Sequence, residues 1–319
     1  MTKPSPASSP PVSPYLAIVV GIIAVSFAAI FIRYANMAGA PALAIAAWRL
    51  TIAALLLTGP AWASARGEMA ALTRRDLGLA ALSGVLLAAH FASWISSLEF
   101  TSVASSVALV TMYPLFAAVA SALFLHERLP LVGWIGVVVS VFGSVIIAFS
   151  DANSGMPDSL VGDALALLGA ATGAGYFLIG RALRQKLSLL SYVTLTYGTA
   201  AVALIGLALA LRVPLLGYSP AVYGLFFLLA AVPQLIGHTS FNYALRYVSA
   251  TFVTVTVVGE PIGATILAVV FFDERPGPVK FLGIALILVG IVLVTRAEQS
   301  TGKGEMSDVS RQRAVIRGE

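Results

Sequence analysis

Cysteine is absent from this 319-residue chain, which excludes disulfides, thiol nucleophiles and thiolate metal sites. Histidine is scarce: three in the whole chain leave no material for a His-rich metal centre, so neither metal nor cofactor is expected. Charge is scarce as well. Only 10% of residues are charged, against roughly a quarter in soluble domains, so little of the surface can face water. No phosphate-binding G-x-x-x-x-G-K-[ST] loop occurs, and no polar stretch is long enough for a nucleotide-binding domain, which argues against ATP-driven chemistry within the chain. No charged ring or filter sequence marks a channel. An integral-membrane enzyme would need His and carboxylates gathered near one interface, whereas His90, His126 and His238 are scattered. The chain is not expected to be an enzyme.

What is abundant is apolar sequence, 59% of residues, with a mean hydropathy of +0.95. It falls in long blocks. A run of about 20 apolar residues crosses a bilayer core as a helix, whereas a membrane barrel would alternate with period two. The blocks predict ten spans, at 15–35, 41–62, 76–98, 103–125, 131–150, 159–180, 189–211, 219–244, 250–272 and 277–296. The fold class is therefore all-α and polytopic, with the lipid bilayer as its surroundings. Pro41, Pro130, Pro220 and Pro278 mark starts of spans, where a missing N–H costs little. The first block is too long for a signal-peptide core and has no clear small-residue cleavage site, so it reads as a retained span. Residues 1–14 and 297–319 read as disordered tails.

The pI near 9.6 does not point to nucleic acid, because the basic residues lie between apolar blocks. With ten spans, fourteen of the 19 Lys and Arg fall on the side of the two termini. Four fall on the other side, and Arg49 lies within the second span. This bias predicts cytoplasmic termini.

The chain repeats itself. Residues 113–146, YPLFAAVASALFLHERLPLVGWIGVVVSVFGSVI, lie over 260–293, EPIGATILAVVFFDERPGPVKFLGIALILVGIVL, at a constant offset of 147. Pro114 meets Pro261, Glu127-Arg128 meets Glu274-Arg275, Gly136 meets Gly283 and Gly143 meets Gly290. His90 and His238 differ by 148, one residue more. Two repeats follow, 15–150 and 159–296. Each has five spans, an odd number, so the second enters the membrane from the opposite side. Such inverted repeats point to alternating access around a site at the bilayer midplane.

This pattern, with a Pro-broken fourth span, a Glu-Arg loop and a Gly-spaced fifth span in each half, resembles the drug/metabolite transporter superfamily. Within it the chain is similar to the ten-helix EamA branch, and most similar to YddG-type exporters of aromatic and other amino acids. The resemblance implies a secondary transporter exporting amino acids or related small metabolites across a bacterial inner membrane. Other small amphipathic metabolites or drugs are the alternative cargo in the same superfamily.

Polar residues inside spans are costly and tend to face a cavity or another helix. The third span carries His90, Ser93, Trp94 and Ser97 on one face. Its repeat partner, the eighth, carries Gln234, His238 and Asn242 at steps of four. These faces are expected to form two walls of one pathway, completed by Thr111, Tyr113, Tyr176, Tyr197 and Trp48, whose aromatic rings can enclose a small substrate. Interhelical hydrogen bonding is the plainer use of such residues. Glu260 is a lone carboxylate inside a span, suited to coupling or gating, or to capping a broken helix. Arg49 could hold a carboxylate, although snorkelling or a backbone carbonyl is the commoner fate of such a residue. Pro114, Pro233 and Pro261 should bend or locally unwind their helices. The fifth span (Gly133, Gly136, Ser140, Gly143) and the tenth (Gly283, Gly290) read as scaffolds, packed against each other or across a homodimer.

Overall fold

The computed structural model describes residues 11–124, 130–152, 158–248 and 259–294, together with 253, 256, 257, 296 and 297. Among them, eight helices are long and apolar enough to cross a bilayer, and two shorter apolar helices follow. They are α1 (Pro14–Met37), α2 (Ala42–Ser64), α3 (Arg74–Phe100), α4 in two pieces (Val103–Val110 and Tyr113–Phe124), α5 (Leu131–Ala152), α6 (Ser159–Arg184), α7 (Leu189–Ala210), α8 (Pro220–Ala244), α9 (Gly259–Phe272) and α10 (Pro278–Val294). The predicted spans correspond to these one for one. The predicted start of the ninth span, Glu127-Arg128, His126 and most of both tails lie outside the described residues. Of the residues 1–14 read as a tail, 11–14 are described, and there the Val12 N–H donates to the Tyr243 hydroxyl at 3.2 Å and the Val12 carbonyl accepts from it at 2.8 Å.

Helix ends follow their local chemistry. Thr73, Ser102 and Ser188 cap α3, α4 and α7, each side chain accepting a hydrogen bond from the N–H three residues on, which satisfies one of the unpaired donors of a helix start. Gly39, at φ +86°, turns the chain out of α1, a conformation that carries no steric penalty in glycine.

The two halves pack around a pseudo-two-fold axis. α3 lies along α6, and its equivalent, α8, lies along α1; α2 meets its own mate α7, and α4 meets α9. α5 and α10 give the closest view of the axis. A Cβ on Gly136 would lie 2.7 Å from the Gly290 carbonyl, and one on Gly143 would lie 2.6 Å from that of Gly283. These two contacts are images of each other under the offset of 147. On the axis itself the Ser140 hydroxyl donates to the carbonyl of its own mate, Ile287, at 3.4 Å. The small stripes of both helices are thus occupied within the chain, and lend the homodimer expectation no support.

Prolines break the helices in two ways. Pro114 and Pro261 do not interrupt a continuous helix. Each stands in the first turn of a new piece, after a break at Thr111–Met112 in α4 and a turn at Val257 before α9. A proline is tolerated there because its missing N–H has no intrahelical acceptor in a first turn. Pro233 sits instead within a π-helical stretch, Ala230–His238. A π turn holds more residues than an α turn, so the wall of α8 that carries Gln234 and His238 is wound more widely than its neighbours.

Glu68, in the connection between α2 and α3, clasps the start of α7. Its carboxylate accepts from the Ser188 N–H and the Ser191 hydroxyl, both at 2.6 Å. Burial pushes this carboxyl up, but the bonds from Ser188 and Ser191 and the charge of Arg184 outweigh it and hold it below its ordinary 4.5. A depressed pKa means that the stabilisation is complete above 4.5 and fades as the pH falls further. Glu68→Gln is therefore expected to lower the melting temperature near neutral pH, with the gap from the parent protein closing in acid. Paired thermal melts at the two conditions check this.

Candidate functional site

A charge in the middle of a membrane helix must find a partner inside the protein. Arg49 of α2 is 0% exposed, so it does not snorkel, and its partner is not a backbone carbonyl. Its Nε donates to Gln234 Oε1 of α8 at 2.8 Å. Its guanidinium lies over the Phe91 ring of α3, 4.1 Å from the centroid, a favourable cation–π arrangement. Its Nη1 and Nη2 are buried without a hydrogen-bond partner among the described residues. Glu260, at the start of α9 and 6% exposed, acts on Arg49 through space without touching it.

Around this charge the two halves meet. His90 of α3 and His238 of α8, mates in the repeat, have ring centroids 6.3 Å apart, and Phe91 lies 5.2 Å from His238. His90 Nδ1 is 2.9 Å from the Gly169 carbonyl of α6, and its ring neighbours Trp94 and Tyr113 at 5.9 and 5.8 Å. Tyr113 stands at the break in α4 and also meets Phe177. On the other side Asn242 donates to the hydroxyls of Tyr176 at 2.6 Å and Tyr197 at 3.2 Å. Tyr197 pairs further with Thr239 at 3.2 Å.

The cluster is short of partners. Besides Arg49 Nη1 and Nη2, the buried Trp94 Nε1, Gln234 Nε2, His238 Nδ1 and Asn242 Oδ1 have no hydrogen-bond partner among the described residues. Buried polar groups in native proteins are nearly always paired. Asn36, Thr51, Thr194 and Thr196 also carry buried side-chain atoms without a partner among the described residues, and what sets this cluster apart is that a buried guanidinium stands among them.

The remaining sequence candidates lie elsewhere or are already engaged. The Ser93 hydroxyl donates back to the Ala89 carbonyl at 2.7 Å, Ser97 to Trp94, and Thr111 to Val107. Ser97 also meets Ser106 at 2.6 Å. Trp48 turns away from the cluster. Its indole donates to the Leu215 carbonyl at 2.7 Å, stacks near Phe226, and lines a separate hollow of about 210 Å³ with Ala47, Thr51, Ile205, Leu215 and Leu216. The reason is geometric: successive residues of a helix point about 100° apart, so Trp48 and Arg49 cannot share a face.

Sequence reasoning did not single out Phe91 or Thr239. It also passed over a second polar group at the end of the molecule where α1 leads into α2. There Arg33 pairs with Glu274 at 3.6 Å and donates to the Thr101 carbonyl, Glu274 accepts from the Ala104 N–H, and Lys280 donates to Ser102. Arg33, Met37, Ser102, Phe272 and Glu274 line a hollow of about 360 Å³. The signal available was the Glu274-Arg275 pair of the repeat.

The EamA-like transporter family matches residues 12–149 and 160–296, one match for each half. The chain is 25% identical over 187 residues to YdfC, an uncharacterized transporter of Bacillus subtilis, a match covering 59% of this chain and 60% of that protein. It is 26% identical over 224 residues to a probable terminal-alkyne amino-acid exporter of Streptantibioticus cattleyicolor, covering 70% and 74% of the two chains. It is 27% identical over 261 residues to the pseudopaline exporter CntI of Pseudomonas aeruginosa, covering 81% and 88%. One solved crystal structure, 18% identical, superposes with a TM-score of 0.63 over 89% of this chain and 96% of its own, a likeness of fold alone. Two matched repeats, ten apolar helices and a polar cluster held between the halves agree: the chain is a multi-pass membrane protein belonging to the EamA-like transporter family.

Proposed function

We propose that this protein is a secondary transporter that exports amino acids or related small metabolites by alternating access across a bacterial inner membrane, with both termini in the cytoplasm. The observation that carries the reading is the polar cluster of Arg49, His90, Gln234, His238, Asn242 and Glu260, which lies between inverted halves and leaves several buried polar atoms open. Two relatives with export in their names, one of amino acids and one of pseudopaline, support the direction and the small polar cargo. His90, Ser93, Trp94, Tyr113, Tyr176, Tyr197, Gln234, His238 and Asn242 line the path in this reading, with Ser97 and Thr111 behind them and Trp48 at its flank. Glu260 serves coupling or gating, and Pro114, Pro233 and Pro261 fix the breaks about which the helices bend. The 360 Å³ hollow beside Arg33 and Glu274 is its outer mouth.

Counterflow of labelled Phe, Tyr, Trp, Met and Thr in liposomes carrying the purified protein tests this. At least one is expected to exchange. His90→Leu, Trp94→Ala, His238→Leu and Asn242→Ala are each expected to slow exchange by about tenfold or more, the worth of one buried polar contact to a charged ligand. Exchange that survives all four substitutions places the pathway elsewhere, and absence of exchange for every substrate rejects amino-acid export.

A further inference from the structure

We infer that the Arg49–Glu260 pair reads the two charges of a zwitterion: Arg49 takes a substrate carboxylate and Glu260 takes the neighbouring ammonium group. The inference rests on the transport reading above and names the substrate class of that site.

Four observations carry it. First, Arg49 is fixed at one edge only. Gln234 holds Nε, Phe91 holds the plane of the guanidinium, and Nη1 and Nη2 face no acceptor among the described residues. Two parallel N–H donors on a planar fork are the arrangement that binds a carboxylate in bidentate fashion. Second, the natural counter-ion is present and is not used. Glu260 is buried within electrostatic range of Arg49, yet it makes no hydrogen bond to either free nitrogen. Third, each group is anchored by a hydrogen bond. Arg49 is tied from α2 to α8, and Glu260 opens α9, with its N–H bonded to the Val257 carbonyl at 2.8 Å. Fourth, the two groups offer complementary contacts. The free Arg49 fork offers only donors and the Glu260 carboxyl offers acceptors, so a ligand bearing both a carboxylate and an ammonium group fills both, whereas a simple acid or a simple amine fills one. His90 and His238 neighbour the Phe91 ring on which Arg49 lies, and Tyr113 neighbours His90 and Glu260. Aromatic rings around a charged pair suit a side chain of apolar character.

The test is a ligand panel on the full-length protein in detergent, read by thermal shift. Phenylalanine, methionine and threonine are each compared with the amine lacking the carboxylate and the acid lacking the amino group (for phenylalanine, phenethylamine and 3-phenylpropionate). At least one zwitterion is expected to bind about tenfold or more tightly than both of its halves, since each half forfeits one charged contact. Arg49→Lys, which keeps the charge and loses the fork, is expected to erase most of that preference. Glu260→Gln is expected to bring the acid level with the zwitterion. Glu68→Gln, remote from the cluster, should leave the ranking unchanged.

An amine or an acid that matches its parent amino acid on the unaltered protein overturns the inference. So does a preference untouched by Arg49→Lys, or a panel in which no zwitterion shifts the melt. These outcomes are separable from failure of the transport reading. Zwitterion binding without counterflow leaves the site standing and removes transport, whereas counterflow with no charge preference does the reverse.

Discussion

Gln234→Leu is expected to destabilise the protein by about 3–5 kcal/mol, the usual cost of removing one partner from a buried charge. The substitution is nearly isosteric, so little of the effect comes from packing. Its force comes from Arg49, whose only hydrogen bond among the described residues is the one that Gln234 accepts. Without it the guanidinium keeps the Phe91 ring and the distant field of Glu260, neither of which replaces a direct acceptor. Arg49→Met in the same background removes the stranded charge. The double variant is then expected to recover most of the loss, because an apolar replacement for both members of a buried polar pair is often close to neutral. A double-mutant cycle from thermal or denaturant unfolding in mild detergent reads the coupling directly. A single-mutant loss below about 1 kcal/mol would mean that water reaches Arg49 freely.

Gly290→Val and Gly143→Val are each expected to cost about 1–3 kcal/mol or more through overpacking, and the pair of them distinctly less than the sum. A Cβ at Gly290 would fall 2.5 Å from the Gly136 carbonyl, and one at Gly143 would fall 2.6 Å from that of Gly283. Both clashes are with backbone, which no rotamer change relieves, so α5 and α10 must separate. One separation serves both sites, because the two contacts are images about the same axis. The second valine therefore meets a crossing that is already open, and the energies do not add. Melting temperatures of the three variants, with elution profiles to confirm a folded monodisperse state, decide it. Full additivity would show that the two ends of the crossing yield independently.

Much of the architecture is written plainly in the chain, because a run of about 20 apolar residues has one stable form in a bilayer. The offset of 147 was legible for the same reason that it is structural. Glycines at matched positions are what two helices need to approach backbone to backbone, and between them Ser140 touches its own mate, the unlike Ile287. The site was legible only in part. Helical spacing names two faces, that of His90 on α3 and that of Gln234, His238 and Asn242 on α8, and these residues do gather. Spacing cannot say whether a hydroxyl reaches across to a neighbour or back to a carbonyl three or four residues earlier, which is what Ser93, Ser97 and Thr111 do. Nor can it choose between Trp48 and Arg49, adjacent in sequence and turned to different neighbours. Burying a charge in place of an indole is against local preference, and only the packing of α2 against α8 and α3 compels it. Pro233 announced an irregular helix, but the widening into a π stretch depends on tertiary contacts and leaves no mark in the sequence.

The offset that pairs Tyr113 with Glu260 has one more consequence. Two identical copies of a five-helix chain, assembled in inverted orientation about such a two-fold axis, would place the same residue on both sides of it. Such an assembly could hold two acids beside one another or none, and two close carboxylates repel. Joining the copies in one gene removes that constraint. The halves can then differ at this position, and Tyr113 brings a phenol and Glu260 an acid to one neighbourhood. A difference between two halves of one fold is thus what a single chain permits: a centre with one acid, where two identical copies about the axis would bring two or none.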